Sequence, residues 1–550
     1  MKRFIIDKVL EQSDESVMEF SQKRTLYIDS FTLNRPCSVE ESEVFCPSNI
    51  DEVFSHFSPS LENFPLEKED GTFIDETFRF GAINDFSDEK IISQSSYLSK
   101  LNQQIATYQE IISLLDNQAE MLYLFLNSEE IERLLSSLEI TNQEINETIE
   151  RIKTFGIFGN GSDIIKQDNI KIINNLHVWI SLFKEEDKTI KVLKVKYHDI
   201  LKQLSSILHK NLCNIRGKIR NLETAYYSIN FYFRNCSGNV NYLLIKNIDR
   251  TELLYNDSKD TFAVKEELEL HYDCLSLKRN YSFLVIPGYL GSADAIRMWA
   301  RIAYKYKVIL ITDFKDSPNF ETLKCEIDNE QLKGNDIYLS NAVVLCNYVK
   351  VRKRSILSCE SDDLFIPSSV GLAARLTNLD VKISDAVCGK NYGHLRGILE
   401  TRIKRLHDIM IKYIIHRGFL PVVEIDNNFF VPSKETLGEF KYPITRTIDW
   451  LAKGIQNIAE SHTFCNPHSI KADLICDFHR FMGANRTPDG FIVSYQLKEL
   501  LTDMSNNDIK ILFSVKLFNN TDFTNEIYDI KITGISSGYG QIVWRTDIAR

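Results

Sequence analysis

The residues best equipped for chemistry in this 550-residue chain lie late in it, where His462-x-x-Cys465-x-x-His468 is followed by Cys476-x-x-His479. Four of these five imidazoles and thiols would satisfy a tetrahedral zinc ion. The pattern falls short of a zinc knuckle, because it has no paired CxxC. Cys476 and His479 also share one predicted helix, about Ser469–Met482, where cysteine usually serves as a small apolar residue. No metal is assigned.

Two glycine motifs come next. Gly288-Tyr-Leu-Gly291 sits between a predicted strand and a predicted helix, the place of a phosphate loop. It lacks the third glycine of a dinucleotide fingerprint and the Gly-Lys-Ser/Thr of a P-loop, so it reads as a tight strand-to-helix turn. Gly534-Ile-Ser536-Ser-Gly538 matches GxSxG, but a nucleophile elbow needs a helix after the serine and here a strand pattern follows. With no HExxH, kinase set or carboxylate constellation, the reading is no catalytic residues, no cofactor and no enzyme.

The elements around these motifs alternate. Leu98, Leu101, Ile105, Tyr108, Ile112, Leu115, Ala119, Leu122 and Leu126 step by three and four, an a/d seam along one long helix. A second helical stretch carries Ile131, Leu134, Leu138, Ile145 and Ile152 and stops at the glycine-bearing loop Gly156–Asp163. A third runs through Ile190, Leu193, Tyr197, Ile200, Leu204 and Ile207, and a fourth carries Leu222, Ala225, Tyr226, Ile229 and Phe233. Antiparallel packing within the chain is favoured over a dimeric coiled coil.

The period then changes. Val240–Ile248 and Phe283–Pro287 read as strands, Ala293–Tyr306 as a helix with Ile296, Trp299, Ala300 and Ala303 inward, and Val308–Thr312 as a buried strand. This is a βαβ unit, with Asn341–Val349 continuing a parallel sheet. Thr445–Glu460 is amphipathic. The end of the chain alternates: Ile509, Ile511, Phe513, Val515 and Leu517 against Lys510, Ser514 and Lys516, then Tyr528, Ile530 and Ile532 against Asp529 and Lys531. Gln541–Arg545 is a further candidate strand.

Lys+Arg 65 against Asp+Glu 76 gives a net charge of −11, which argues against a nucleic-acid or anionic-membrane binder, since both need a basic face. MKRFIIDKVLEQ has too few apolar residues for a signal-peptide core, and no run approaches the roughly 18 needed to span a bilayer. The 11 scattered cysteines are expected to be free thiols. The class is a cytosolic, mixed α/β protein.

With these residues laid out, YSFLVIPGYLGSADAIRMWARIAYKYKVILITDF (281–314) resembles the central segment of the large contractile sheath subunit of type VI secretion systems, the TssC/VipB family, in its Bacteroidetes-like form. The likeness continues through NAVVLCNYVKVRKR (341–354), DLFIPSSVGLAARL (363–376), GFLPVVE (418–424) and YPITRTIDWLAK (442–453), and upstream through RNLETAYYSINFYFRN (220–235). It covers about 210–535, in order. The motif positions it marks as structural are Pro287, Gly288, Gly291, Trp299, Asp313, Asn347, Pro367, Arg446, Asp449 and Trp450. Residues 77–115, where an Asp85-Phe-Ser turn leads into the heptad helix, resemble the end of the small (TssB/VipA) subunit.

The resemblance implies a phage-tail-sheath-like α/β core with a central sheet flanked by helices, plus a helical segment and terminal exchange strands. The expected organisation is a small-subunit-like segment at 1–127, a helical connector at 128–215, the sheath core at 216–505 and strands for pairing between protomers at 506–550. Ile509, Ile511, Phe513, Val515, Leu517, Tyr528, Ile530 and Ile532 would form the inter-protomer interface. The implied function is a structural protein of a contractile injection system used in protein secretion: a helical assembly around an inner tube that contracts to propel it. Implied partners are further copies, a small sheath subunit if that is not fused, the inner tube, baseplate proteins and an AAA+ unfoldase, in the bacterial cytosol on a membrane-anchored baseplate. No nucleic acid and no membrane insertion are implied. A related contractile particle and a metal-binding α/β protein using His462–His479 are the alternatives.

Overall fold

The computed structural model describes residues 23–33, 44–116, 169–236, 243–249, 252–254, 258–273, 277, 279–353, 363–378, 380–461, 470–484, 492–503, 508–519, 524–537 and 541–549. The second helical stretch, the loop 156–163, and His462, Cys465 and His468 lie outside these. The chain divides into two units, one of residues 1–59, 220–354 and 363–550, the other of 60–219 and 355–362.

In chain order the elements are β1 (Arg24–Asp29), α1 (Ile50–Phe57), β2 (Ser60–Glu67), β3 (Phe73–Arg79), α2 (Asp88–Gln94), α3 (Ser96–Asp116), α4 (Asn169–Asn235), β4 (Leu243–Asn247) and α5 (Lys259–Asp273). Then come β5 (Tyr281–Val285), α6 (Ala293–Lys305), β6 (Ile309–Asp313), α7 (Phe320–Glu330), β7 (Ala342–Cys346), the two-residue strands β8 (Val349–Lys350) and β9 (Phe365–Ile366), and α8 (Ser369–Leu376). After a short α9 (Gly389–Tyr392) follow β10 (His394–Leu395), β11 (Glu400–Thr401), α10 (Asp408–His416), β12 (Phe419–Pro421), β13 (Val423–Ile425) and β14 (Asn428–Phe430). The last elements are α11 (Tyr442–Ser461), α12 (Ile470–Ala484), β15 (Ile492–Asp503), β16 (Asp508–Asn519), β17 (Thr524–Ser537) and β18 (Gln541–Ala549).

The first unit is built on a six-stranded parallel sheet of order β12-β7-β6-β5-β1-β4. Its strands read as nearly continuous apolar runs because both faces are covered. One face, with Leu26, Leu284, Leu310 and Val344, packs under Val264 of α5, Trp299 of α6, Leu323 of α7 and Ile414 of α10. On the other side Tyr27 of β1 meets Tyr232 of α4, with ring centroids 6.2 Å apart. This is a three-layer, doubly wound α/β architecture. β1 is not an edge: Leu26 sits in register with Leu244 of β4 and Leu284 of β5, so part of the stretch 1–127, expected to be small-subunit-like, lies inside this sheet.

The third and fourth helical stretches need correcting. They are not separate helices but parts of the single 67-residue α4. The buried stripe continues through Leu208, Leu212, Ile215, Ile219 and Leu222. Gly217 sits within it, with nothing within 4 Å of a would-be Cβ. A helix glycine costs only about 1 kcal/mol relative to alanine, and apolar burial on either side outweighs it.

In the second unit, the heptad positions Leu98, Leu101, Ile105, Tyr108 and Ile112 of α3 are buried, and Tyr108 meets Tyr197 of α4 with centroids 5.9 Å apart. The hairpin β2–β3 leads into a 3-10 turn, Ile83–Phe86, where Asp85 accepts the N–H groups of Gly81 and Ala82 at 2.8 and 2.9 Å. Ser87 caps α2. The buried Arg216 guanidinium holds the buried Asp88 carboxylate at 2.6 Å.

The cysteine expectation holds for Cys46, Cys236, Cys325, Cys346, Cys388 and Cys476, which are free thiols. Cys213 departs from it and is disulfide-bonded.

Candidate functional site

In a doubly wound sheet, ligands bind beyond the carboxyl ends of the strands where the winding changes direction. Here β1 to β4 runs one way and β5, β6, β7, β12 the other, so that place lies beyond β1 and β5. Next to it, beyond β5 and β6, the chain fills the end of the sheet with its own groups. Asp313, the last residue of β6, is fully buried and accepts Gly288 N–H at 2.9 Å, Ser369 N–H at 2.9 Å and Ser368 Oγ at 3.3 Å, with Ser369 Oγ also donating to it. Thr312 Oγ1 donates to the Gly288 carbonyl at 2.9 Å.

The sequence explains this geometry. Gly288 and Gly291 have φ of +81° and +86°, a left-handed conformation that glycine adopts without strain. A Cβ on Gly291 would come within 3.0 Å of Leu254. Both glycines let the chain turn sharply after the buried Pro287. Pro367 ends the short β9 strand and delivers Ser368 and Ser369 to the start of α8. An anion is favoured at a helix N-terminus, and the anion here is the protein's own Asp313. Burial, with the Asp313 charge beside it, pushes the Cys346 thiol up.

Other motif positions brace the same core. Asn347, at φ +76°, donates to the carbonyls of Val422 at 2.8 Å and Ile403 at 3.2 Å and accepts Ile403 N–H at 2.7 Å. Trp299 is fully buried and donates its indole N–H to Leu253 O at 3.1 Å.

A second polar group lies at the opposite ends of the strands, under α11. Asp449 accepts Asn341 Nδ2 at 2.6 Å, and Asn341 also donates to Val308 O at 2.9 Å. Lys453 donates to Tyr281 O at 2.7 Å. Burial raises the Asp449 carboxyl, while Lys307 and Lys453 pull it back. Burial lowers both lysines, and Asp449 opposes that shift. Arg446 stacks its guanidinium 5.0 Å from the Phe283 ring centroid, and Trp450 stacks on Phe481 at 5.1 Å. These groups fasten a helix to a sheet: each charge already meets another protein group.

The terminal strands form one antiparallel sheet, β15-β16-β17-β18. Ile511, Phe513, Val515 and Leu517, with Tyr528, Ile530 and Ile532, are buried against Ile448, Leu451 and Ile455 of α11 and Leu474, Phe478 and Met482 of α12. The structure thus places these seven of the eight side chains expected at an inter-protomer interface in the chain's own core; the Ile509 side chain lies outside the described ones. Ile509 pairs with Thr502 and Gly534 by register. Among the described residues the outer strands of this sheet are β15 and β18. The expected boundary at 506 falls inside the β15–β16 hairpin. Ser536, of the GxSxG match, lies in β17 and is followed by β18, not by a helix.

Of the metal candidates, Cys476 is exposed and His479 Nδ1 lies 3.1 Å from the Tyr495 hydroxyl. Among the described residues no His/Cys/Asp/Glu group is arranged to hold a metal ion. Ser368, Ser369, Lys307 and Lys453 were not anticipated as site residues. A readable signal existed for the serines: paired hydroxyls directly before an apolar helix are a capping pattern.

Residues 215–438 match the family model of the type VI secretion system TssC/VipB central domain. This is less than half the chain, and it spans β4 through β14 with the Asp313 and Asn347 networks. The match supports a large sheath subunit of the type VI kind. A comparison with curated proteins gives no match. No described helix is long and apolar enough to cross a membrane.

Proposed function

We propose that this chain is a structural, non-catalytic subunit of a contractile type VI secretion sheath, which polymerises around an inner tube and contracts to propel it. The family match over 215–438 carries the reading. The Asp313–Ser369 closure beyond β5 and β6 supports it, because the chain's own groups fill that end of the sheet.

In this reading the β15 and β18 margins add strands between protomers, since an outer strand gains by pairing. The segment 77–115 serves as a fused counterpart of the small subunit, and the inner tube and baseplate are the other partners. The energy of contraction is stored in the extended lattice at assembly, so no nucleotide site in the subunit is required. Electron microscopy of the expressed chain, alone and with its genomic neighbours, tests the reading. Hollow helical tubes support it, and monodisperse particles under all conditions refute it.

A further inference from the structure

Arg446, Asp449 and Lys453 follow one another at steps of three and four along α11, so they share one helix face. Together with Lys307, from the turn between α6 and β6, they line a cleft whose apolar walls include Trp450 and Ile309. Lys307, Asp449 and Lys453 are each only 5% exposed. Two ammonium groups therefore face one carboxylate in a buried setting.

That carboxylate does not pair with either of them. Asp449 takes its hydrogen bond from Asn341 Nδ2 at 2.6 Å, and among the described residues neither lysine comes within ion-pair distance of it. The groups the lysines do meet are neutral. Lys453 donates to the Tyr281 carbonyl at 2.7 Å, and Lys307 Nζ lies 3.9 Å from the Tyr304 ring centroid. Lys307 donates no hydrogen bond among the described residues. Asp547 of β18 also acts on Lys307, but it is exposed and lies 4.0 Å from Lys531. Burial lowers Lys453 most; Asp449 opposes this and Lys307 adds to it. A buried charge is costly unless a counter-charge and hydrogen bonds meet it, so the cleft favours an anion.

The cavity volume is about 30 Å³, and one water-sized group needs roughly 10–15 Å³. That space admits a two-oxygen head and no nucleotide. Two ammonium donors match two carboxylate oxygens, and the Trp450 and Ile309 walls suit the carbon that carries them. We propose that this cleft binds a single carboxylate group, held by Lys307 and Lys453. The site does not depend on the sheath reading.

Equilibrium dialysis of radiolabelled acetate against the full-length, unassembled chain, in chloride at constant ionic strength, tests it. The wild type should bind acetate saturably, near one per chain. Lys307→Gly and Lys453→Met should each bind about ten-fold more weakly or worse, the size of one charge-assisted hydrogen bond. Glycine takes the Lys307 backbone, at φ +52°, without strain, and thermal unfolding checks that both variants fold. Free carboxylates and acidic side chains of further copies carry the same group, and assembly separates these sources. With a neighbour's side chain as occupant, acetate raises the concentration needed for assembly more than chloride does. With a free carboxylate as occupant, it leaves that concentration unchanged. Absence of saturable acetate binding in the wild type, or equal binding in both variants, would overturn the site and leave the sheath reading intact. A wild type that binds acetate but never assembles would keep the site and overturn the sheath reading.

Discussion

Asp313 at the end of β6 accepts the backbone N–H of Ser369 at 2.9 Å, so a carboxylate from one strand occupies the anion position at the N-terminus of α8. The same carboxylate holds the Gly288 turn at 2.9 Å. One side chain therefore ties the β5–α6 turn, the end of β6 and the start of α8 together, closing the sheet beyond β5 and β6.

Replacing Asp313 with alanine leaves two buried N–H donors and two hydroxyls short of their acceptor. Buried donors without partners cost roughly 1–3 kcal/mol each, so Asp313→Ala should lose about 3 kcal/mol or more in denaturant unfolding. Asp313→Asn keeps one acceptor and should lose less.

The Asp88–Arg216 pair makes a similar claim for the second unit. Asp88→Ala takes the carboxylate away from a buried guanidinium and should destabilise by about 3 kcal/mol. The double change Asp88→Leu with Arg216→Met should recover most of that loss. A thermal-melt double-mutant cycle measures it.

Lys453 gives a pH signature. Its folded-state value is lowered below the ordinary 10.5, by burial first and against the pull of Asp449. The unfolded chain therefore binds more protons at this site than the folded one across the window below 10.5, and this group's contribution makes stability rise with pH there. Asp449 is raised above the ordinary 3.8, so its contribution falls as pH rises through the acid range above 3.8. Urea midpoints measured across pH should show Lys453→Met flattening the alkaline rise.

Gly454 lies inside α11 where a Cβ would meet Phe481 Cζ at 2.1 Å. Alanine is intrinsically the better helix former by about 1 kcal/mol, yet Gly454→Ala should destabilise by roughly 1–3 kcal/mol by pushing Phe481 off Trp450. In Phe481→Ala background the same change should become neutral or stabilising. Near-ultraviolet circular dichroism of Trp450 follows the displacement.

Much of this core was legible as pattern. The all-apolar runs at β5, β6 and β7 and the amphipathic α6 and α11 follow directly from hydrophobic periodicity. The place of β1 between β4 and β5 was not, because its partners lie more than 200 residues away and local pattern carries no pairing information. β15 escaped notice since it presents polar residues such as Ser494, Gln496 and Lys498 and its register shifts twice. Asp449 and Lys453 are spaced as a solvated i,i+4 helix pair; only the packing of α11 on the sheet reveals them as buried. The terminal alternation correctly signalled one covered face, while its cover turned out to be α11 and α12 of the same chain.

The central claim is assembly into a contractile tube, and electron microscopy of the full-length chain tests it most directly. Hollow helical tubes are expected from the wild type, alone or with its neighbouring gene products. Uniform single particles from the wild type, alone and with its neighbouring gene products, would contradict it.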